Sequence, residues 1–199
     1  MTDPIIEIRR LWQSDMDAYC NHLLRLDLHS RRFRFVGGMS NEAVKNYAEK
    51  CFGTGDLIYG AFINGTLIGV AELRSTVPIL ANHVQTNRHI HAEVAFSVEL
   101  EYQHHGIGEK LFSRIMQAAS NHDVETIDLM LLPDNIGMSK LAKKFKIRLV
   151  YEDGVLTGHL DSQHPTAFSL FRENIADILD YGLSMFDAYW RSFKINLIK

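Results

Sequence analysis

Apolar and polar positions along the chain follow two periods, and the places where the period changes mark its elements. Ile5, Ile6 and Ile8 around Glu7 predict a short first strand over 5–9. Ser14-Asp15 then offers a helix N-cap before Met16, Tyr19, Leu23 and Leu26, which recur at helical spacing. Residues 27–40 are mixed and contain Gly37-Gly38, and Ser40 opens a second amphipathic helix through about Cys51. Residues 57–63 and 67–73 are rich in β-formers. Asn64-Gly65 between them suits the positive φ angles of a tight hairpin, so the two should be antiparallel neighbours. A polar stretch over about 76–91 leads into Ala92–Val98, which alternates with period two. Ile107, Leu111, Phe112, Ile115, Met116 and Ala119 line one face of the clearest helix, with Glu109, Lys110, Arg114 and Gln117 opposite. Ile127–Leu132 is a short apolar run that fits a buried strand, and Met138, Leu141, Ala142 and Phe145 mark another helix. Leu149–Tyr151 and Val155-Leu156 flank Asp153-Gly154, a second hairpin signal. The predicted order β-α-α-β-β-β-α-β-α-β-β belongs to an α/β fold with a mixed sheet. After Pro165 a long helical stretch carries an apolar stripe from Phe171 to Phe193, and Gly182 is a candidate interruption.

Composition narrows the class. With 199 residues, 46% of them hydrophobic, the chain can close one core, and a second full domain is not expected. A net charge of -3 argues against nucleic acid as a partner, which needs a basic face. Two cysteines, Cys20 and Cys51, make no disulfide framework and point to a reducing compartment. The first residues lack a signal-peptide pattern, and no apolar run reaches the roughly 18–20 residues a membrane span needs. The expectation is therefore a cytoplasmic protein without a membrane partner.

The chemistry concentrates at Gln103-His104-His105-Gly106-Ile107-Gly108, between a strand and the clearest helix. A glycine-containing loop that opens a helix leaves backbone N–H groups pointing at an anion, with the positive end of the helix dipole behind them. Gly106 and Gly108 let the chain curl and let a phosphate approach closely. Two glycines also fit an ordinary tight turn. No Gly-Lys-Ser/Thr follows, so this is no P-loop, and the spacing and mid-chain position do not fit a dinucleotide-binding fingerprint.

The segment resembles the acetyl-CoA pyrophosphate loop of the GNAT superfamily of N-acetyltransferases, Gln/Arg-x-x-Gly-x-Gly/Ala, with the family's strand before it and helix after it. Asn135 is similar to the family asparagine that faces the pantetheine arm. The resemblance covers about 5–160 and is carried mainly by 92–147. Ser30–Phe35 with Ser40, and Asn135–Phe145, resemble the bacterial protein-lysine acetyltransferase subgroup. The resemblance implies the GNAT fold for 1–162, with a C-terminal helical extension over 163–199. It implies acetyl-CoA as co-substrate, held by Phe96, Ser97, Val98, Gln103, His104, His105, Gly106, Ile107, Gly108 and Asn135. It further implies a strand glutamate, Glu93, as the base that takes a proton from the incoming ammonium, since a protonated amine has no lone pair to attack a thioester. A partly apolar cleft would raise the pKa of that carboxylate. A strand glutamate can equally be a solvent-facing or ion-paired residue, and Glu99 and Glu101 compete for the role. A backbone N–H near Phe96–Val98 would polarise the thioester carbonyl. Many members have a tyrosine acid where this chain has Ala142, so the general acid is open, with Tyr151 as one alternative.

The expected activity is acetyl transfer to a primary amine, either a protein lysine or a small amine. A sensor that binds acyl-CoA without turnover, or an enzyme using another acyl donor, are the alternatives. His89, His91, His104 and His105 lack the carboxylate or cysteine partners of a metal site. Lys140, Lys143, Lys144, Lys146 and Arg148 read as a solvated face that can also help hold the 3′-phosphate of CoA. The C-terminal stripe reads as core or as a homodimer surface.

Overall fold

The computed structural model describes residues 5–52, 55–75, 79, 90–161 and 165–197, the side chains of 167 and 191–197 excepted. Most of the predicted polar stretch over 76–91, His89 included, lies outside the described residues. The order is β1 (Glu7–Arg10), α1 (Met16–Arg25), α2 (Leu28–Arg34), α3 (Asn41–Cys51), β2 (Leu57–Ile63), β3 (Thr66–Ser75), β4 (Ile90–Val98), α4 (Ile107–Asn121), β5 (Val124–Leu131), α5 (Ile136–Lys144), β6 (Leu149–Glu152), β7 (Val155–Asp161) and α6 (Ala167–Leu197).

The strands form one sheet in the order β1-β2-β3-β4-β5-β7-β6. β4 and β5 are parallel and the other neighbours antiparallel. Both predicted hairpins are present. Asn64 and Gly65 turn at φ 50° and 74°, Asp153 and Gly154 at 50° and 88°, the doubly positive pattern that matches strand twist.

Apolar cores lie on both sides of the sheet. Leu57, Tyr59, Ile68, Leu73, Val94, Ile107, Leu111, Phe112 and Ile127 belong to the core beneath α4. Tyr19, Leu23, Val44, Ala48, Ile58, Phe62 and Val70 belong to the core beneath α1 and α3. β2 and β3 are covered on both faces and read as nearly continuous buried runs. β4 alternates buried and exposed from Ile90 to Val94, because only one face of that part of the sheet is fully packed. That alternation leaves His91 and Glu93 on the open side.

The structure departs from the sequence reading in three elements. Residues 27–40 contain a helix, α2, capped by Asp27, whose side chain accepts from the N–H groups of His29 and Ser30. Asp15 does not cap α1 with its side chain. It is buried and bonded to Arg9 at 2.9 and 3.0 Å and to the Trp12 N–H at 3.1 Å. Gly182 does not interrupt the tail, because α6 runs unbroken through it. Among the described residues no helix is long and apolar enough to cross a membrane.

Candidate active site

The parallel pair β4–β5 positions the site. Their register runs to Val94 opposite Leu129, while β4 continues to Val98 and β5 to Leu131. Past Val94 the two strands part, and β4 from Ala95 to Val98 keeps β3 on one edge only. A cleft partly open to solvent occupies the gap. Its walls are Glu93–Phe96 of β4, Leu129–Leu131 of β5, Asn135 and Met138 at the head of α5, and Phe33, Arg34 and Val36 at the end of α2.

The 103–108 loop sits at the far end of β4. Gly106 is the N-cap residue of α4, at φ 76° in the left-handed region, and no side chain caps the helix. The first N–H groups of a 15-residue helix are therefore left for an anion. A Cβ at Gly106 would meet nothing within 4 Å, so its φ is what requires glycine. At Gly108 a Cβ would approach only Leu141, at 3.8 Å. Glu109, the acid of the first turn, is held by Lys144 of α5 at 2.5 Å. Lys140, Lys143, Lys146 and Arg148 are exposed with Lys144 on and just after α5.

The residues named from sequence fall into distinct positions. His104 and His105 are exposed on the loop, with His104 at φ 65°. Ile107 is buried in the core. Phe96 stacks on Phe112 at 5.5 Å between centroids. Gln103 is a strut, its Nε2 donating to the Val98 carbonyl at 3.0 Å and to Ser30 Oγ at 3.4 Å. Ser97 Oγ bonds His22 Nε2 at 2.9 Å on the α1 side, so Ser97 can serve the cleft through its backbone alone. Asn135 lines the cleft, but its Oδ1 accepts from the Met138 N–H at 3.1 Å as the cap of α5.

Of the three candidate carboxylates, Glu93 alone lines the cleft. It lies opposite Arg74 of β3 and Asp128 of β5, and Asp128 bonds His159 of β7 at 2.6 Å. The expected apolar burial of Glu93 is not found, because the carboxylate stands on the open face. Glu99 is bonded to His22 at 2.9 Å and to Arg25 at 2.7 Å. Burial alone would raise its pKa, but these partners hold it below the usual carboxylate range. Glu101 is exposed on a 3-10 turn beyond the cleft. Ala142 is fully buried, and Tyr151 is exposed on β6, away from the cleft walls. Among the described residues no group of three or more His, Cys, Asp or Glu is placed to hold a metal.

The α2 wall was not anticipated as part of a site. Val36 stands at φ 48°, an uncommon backbone for a β-branched side chain and a form of strain that gathers at functional sites. Arg34 reaches behind the wall to the buried Glu72 of β3, which also accepts from Tyr19 at 2.6 Å and from Tyr47 at 2.6 Å. Burial pushes Glu72 up, yet Arg34 and the two hydroxyls hold its pKa below the usual range. The Asp27-x-x-Ser30 cap and the lone glutamate in an apolar strand were the available sequence signals.

Comparison with known proteins bears on the family and the fold. The family model described as "Acetyltransferase (GNAT) family" matches residues 23–146. The fold is similar to the GNAT domain of S. lividans PAT, with TM-score 0.66 and 19% identity over 78% of this chain and 90% of that one. It is also similar to yncA of Salmonella typhimurium, solved with acetyl-CoA (TM-score 0.56, 16% identity, 81% and 98% covered). The paia N-acetyltransferase of Thermoplasma acidophilum, solved with coenzyme A, is a further neighbour (TM-score 0.57, 20% identity, 79% and 99% covered).

Proposed function

Because the chain belongs to the acetyltransferase (GNAT) family, we propose that it transfers the acetyl group of acetyl-CoA to a primary amine, with Glu93 as general base. One observation carries the reading: β4 and β5 part beside the uncapped N-terminus of α4, and Glu93 stands on the wall of the gap they open. The backbone N–H groups at Gly106–Gly108 fit a pyrophosphate, and Lys144 of α5, paired with Glu109 in the first turn of α4, is placed to serve a terminal phosphate. The pantetheine arm would lie along the unpaired edge of Ala95–Val98, where a backbone N–H can polarise the thioester carbonyl. Two neighbours solved with acetyl-CoA or CoA support this choice of donor.

Glu93 takes the proton from the ammonium, directly or through water. The amine nitrogen bonds to the carbonyl carbon, the carbon–sulfur bond breaks, CoA leaves as thiolate, and the second proton on the nitrogen passes to that thiolate or to water, leaving the amide. Ala142 supplies no proton, so no general acid is assigned. Glu93 beside Asp128 favours a cationic acceptor, a lysine side chain or a small amine, over a nucleic acid. Ala142 is also what keeps a second reading, an acyl-CoA-binding module without turnover, in play.

A CoA-release assay against small amines and lysine peptides tests the proposal. Glu93→Gln should lower turnover by about 10²–10⁴, with acetyl-CoA binding unchanged and activity recovering at high pH. Wild-type rates in that variant would remove Glu93 from the role. Binding without CoA release from any amine would favour the second reading.

A further inference from the structure

α6 presents its acidic side to the domain and its apolar side to solvent. Glu173 is buried, accepting from Tyr59, Arg114 and Asn121. Asp177 pairs with Arg10, Asp187 with Arg9, and Asp180 accepts from the Arg10 N–H. At 3.6 residues per turn, Phe168, Phe171, Ile175, Ile178, Met185 and Phe186 fall on the opposite side, and they are 44–73% exposed.

Gly182 lies at the centre of that outward face and at the midpoint of α6, Ala167–Leu197. A Cβ there would meet nothing within 4 Å, so the chain's own packing does not require a glycine, and a glycine inside a helix costs stability relative to alanine. The residues on either side of it match. Leu179 and Met185 lie three steps away, Ile178 and Phe186 four, and Ile175 and Tyr189 seven, all apolar or aromatic.

We propose that α6 pairs antiparallel with α6 of a second copy about a two-fold axis at Gly182. Such an axis sets each position at a given distance before Gly182 against the position at the same distance after it in the other copy. Ile178 then faces the partner's Phe186, and the missing side chain at 182 lets the two backbones approach. A near-palindromic apolar pattern is what a self-complementary surface needs; an unrelated partner places no such demand. The outward face offers on the order of 900 Å² of apolar surface, taking whole aromatics at 150–250 Å², against about 800 Å² per partner in a standard interface. The surface lies away from the cleft, so the inference stands whether or not the chain is an acetyltransferase.

The test uses the full-length protein in sedimentation equilibrium and cysteine cross-linking, the latter with Cys20→Ser and Cys51→Ala. A dimer is expected. Gly182→Cys should oxidise to a covalent dimer with itself. Ile178→Cys and Phe186→Cys should cross-link when mixed and poorly when alone. Phe186→Glu and Gly182→Leu should each weaken the dimer at least tenfold while an unchanged circular dichroism spectrum shows a folded chain. A monomer at all concentrations overturns the proposal. So does a monomer that pellets with phospholipid vesicles, which would make the face a membrane contact. Ile178→Cys cross-linking alone as well as in the mixture would overturn the antiparallel arrangement.

Discussion

Gly106 and Gly65 hold nearly the same backbone, φ 76° and 74°, and at both a Cβ would meet empty space. Alanine at either position should cost about 1–2 kcal/mol, the penalty of a left-handed L-residue. The two differ in what lies around them. Gly65 turns the β2–β3 hairpin, whereas Gly106 opens α4 beside the cleft. Thermal melts with and without acetyl-CoA should therefore separate them. Both variants should melt lower than wild type by a similar margin, but only Gly106→Ala should lose most of the ligand-induced rise in Tm, which measures binding by mass action. Equal ligand shifts in the two variants would mean that the N–H groups at the head of α4 do not hold the ligand. Gly106 was legible from sequence because two glycines before a strong helix period admit few backbones. The role of Gln103 was not legible, since a side chain that braces Val98 and Ser30 depends on the bend between them.

Elements whose buried side is apolar were legible from their period, and α2, whose buried side is charged, was not. β2, β3, β4, α4 and α5 belong to the first kind. α2 belongs to the second, because the side it buries carries Arg31 and Arg34, residues that periodicity counts as solvent-facing. The part of the cleft wall that α2 supplies was hidden for the same reason. Arg34 is paired with Glu72, 38 residues further along the chain on β3, and also donates to the Tyr47 hydroxyl at 2.9 Å. Removing one partner of a buried pair leaves the other charge uncompensated, so Glu72→Gln should cost about 3–5 kcal/mol. The pair also gives stability a pH slope. Glu72, Glu99 and Asp15 have folded pKa values below their ordinary 4.5, 4.5 and 3.8, so below those values the unfolded chain binds protons that the native chain resists. Their contribution is complete above about pH 4.5 and is lost as pH falls through the folded values. His22, buried and lowered from 6.5, adds a loss that begins nearer that value, because the unfolded imidazole protonates first. Asp180, raised by burial, works in the opposite direction. Urea midpoints should therefore fall steadily from pH 7 to pH 4 and steeply below it. Glu72→Gln should flatten the acid limb; a variant with the wild-type slope would show that the pair does not set it.

At the scale of the whole molecule, α6 covers the outer edge of the sheet. β1 is one of the sheet's two edge strands, and an edge strand exposes unpaired backbone groups that invite another chain to pair with it. Asp180 accepts the Arg10 N–H at 2.8 Å, and Glu173 takes the Tyr59 hydroxyl at 3.0 Å and Arg114 at 3.2 Å. Arg9 and Arg10, both buried, add Asp187 and Asp177. The helix is thus fastened to the domain through charges that the domain has already buried. Sequence alone did not reveal this, because a stripe of Phe, Ile and Leu reads equally as core or as a homodimer surface and does not say that the acids on the other side are the ones inside. Ending the chain before Thr166 would leave Arg10 and Arg114 without these acids and open the β1 edge. Glu173→Gln isolates the central contact. With a 6% exposed side chain against Arg114, it should cost about 3 kcal/mol, and in a chain of this size that lowers Tm by roughly 6–12 °C. The truncated chain should lose more and should aggregate through the bared edge, visible as light scattering below its melting point. Phe186→Glu, which alters only the outward face, should change association and leave the Tm of the monomer within a degree or two. If truncation left the melting point and solubility of the wild-type chain, α6 would be an appendage, and the acids would contribute nothing to the domain they touch.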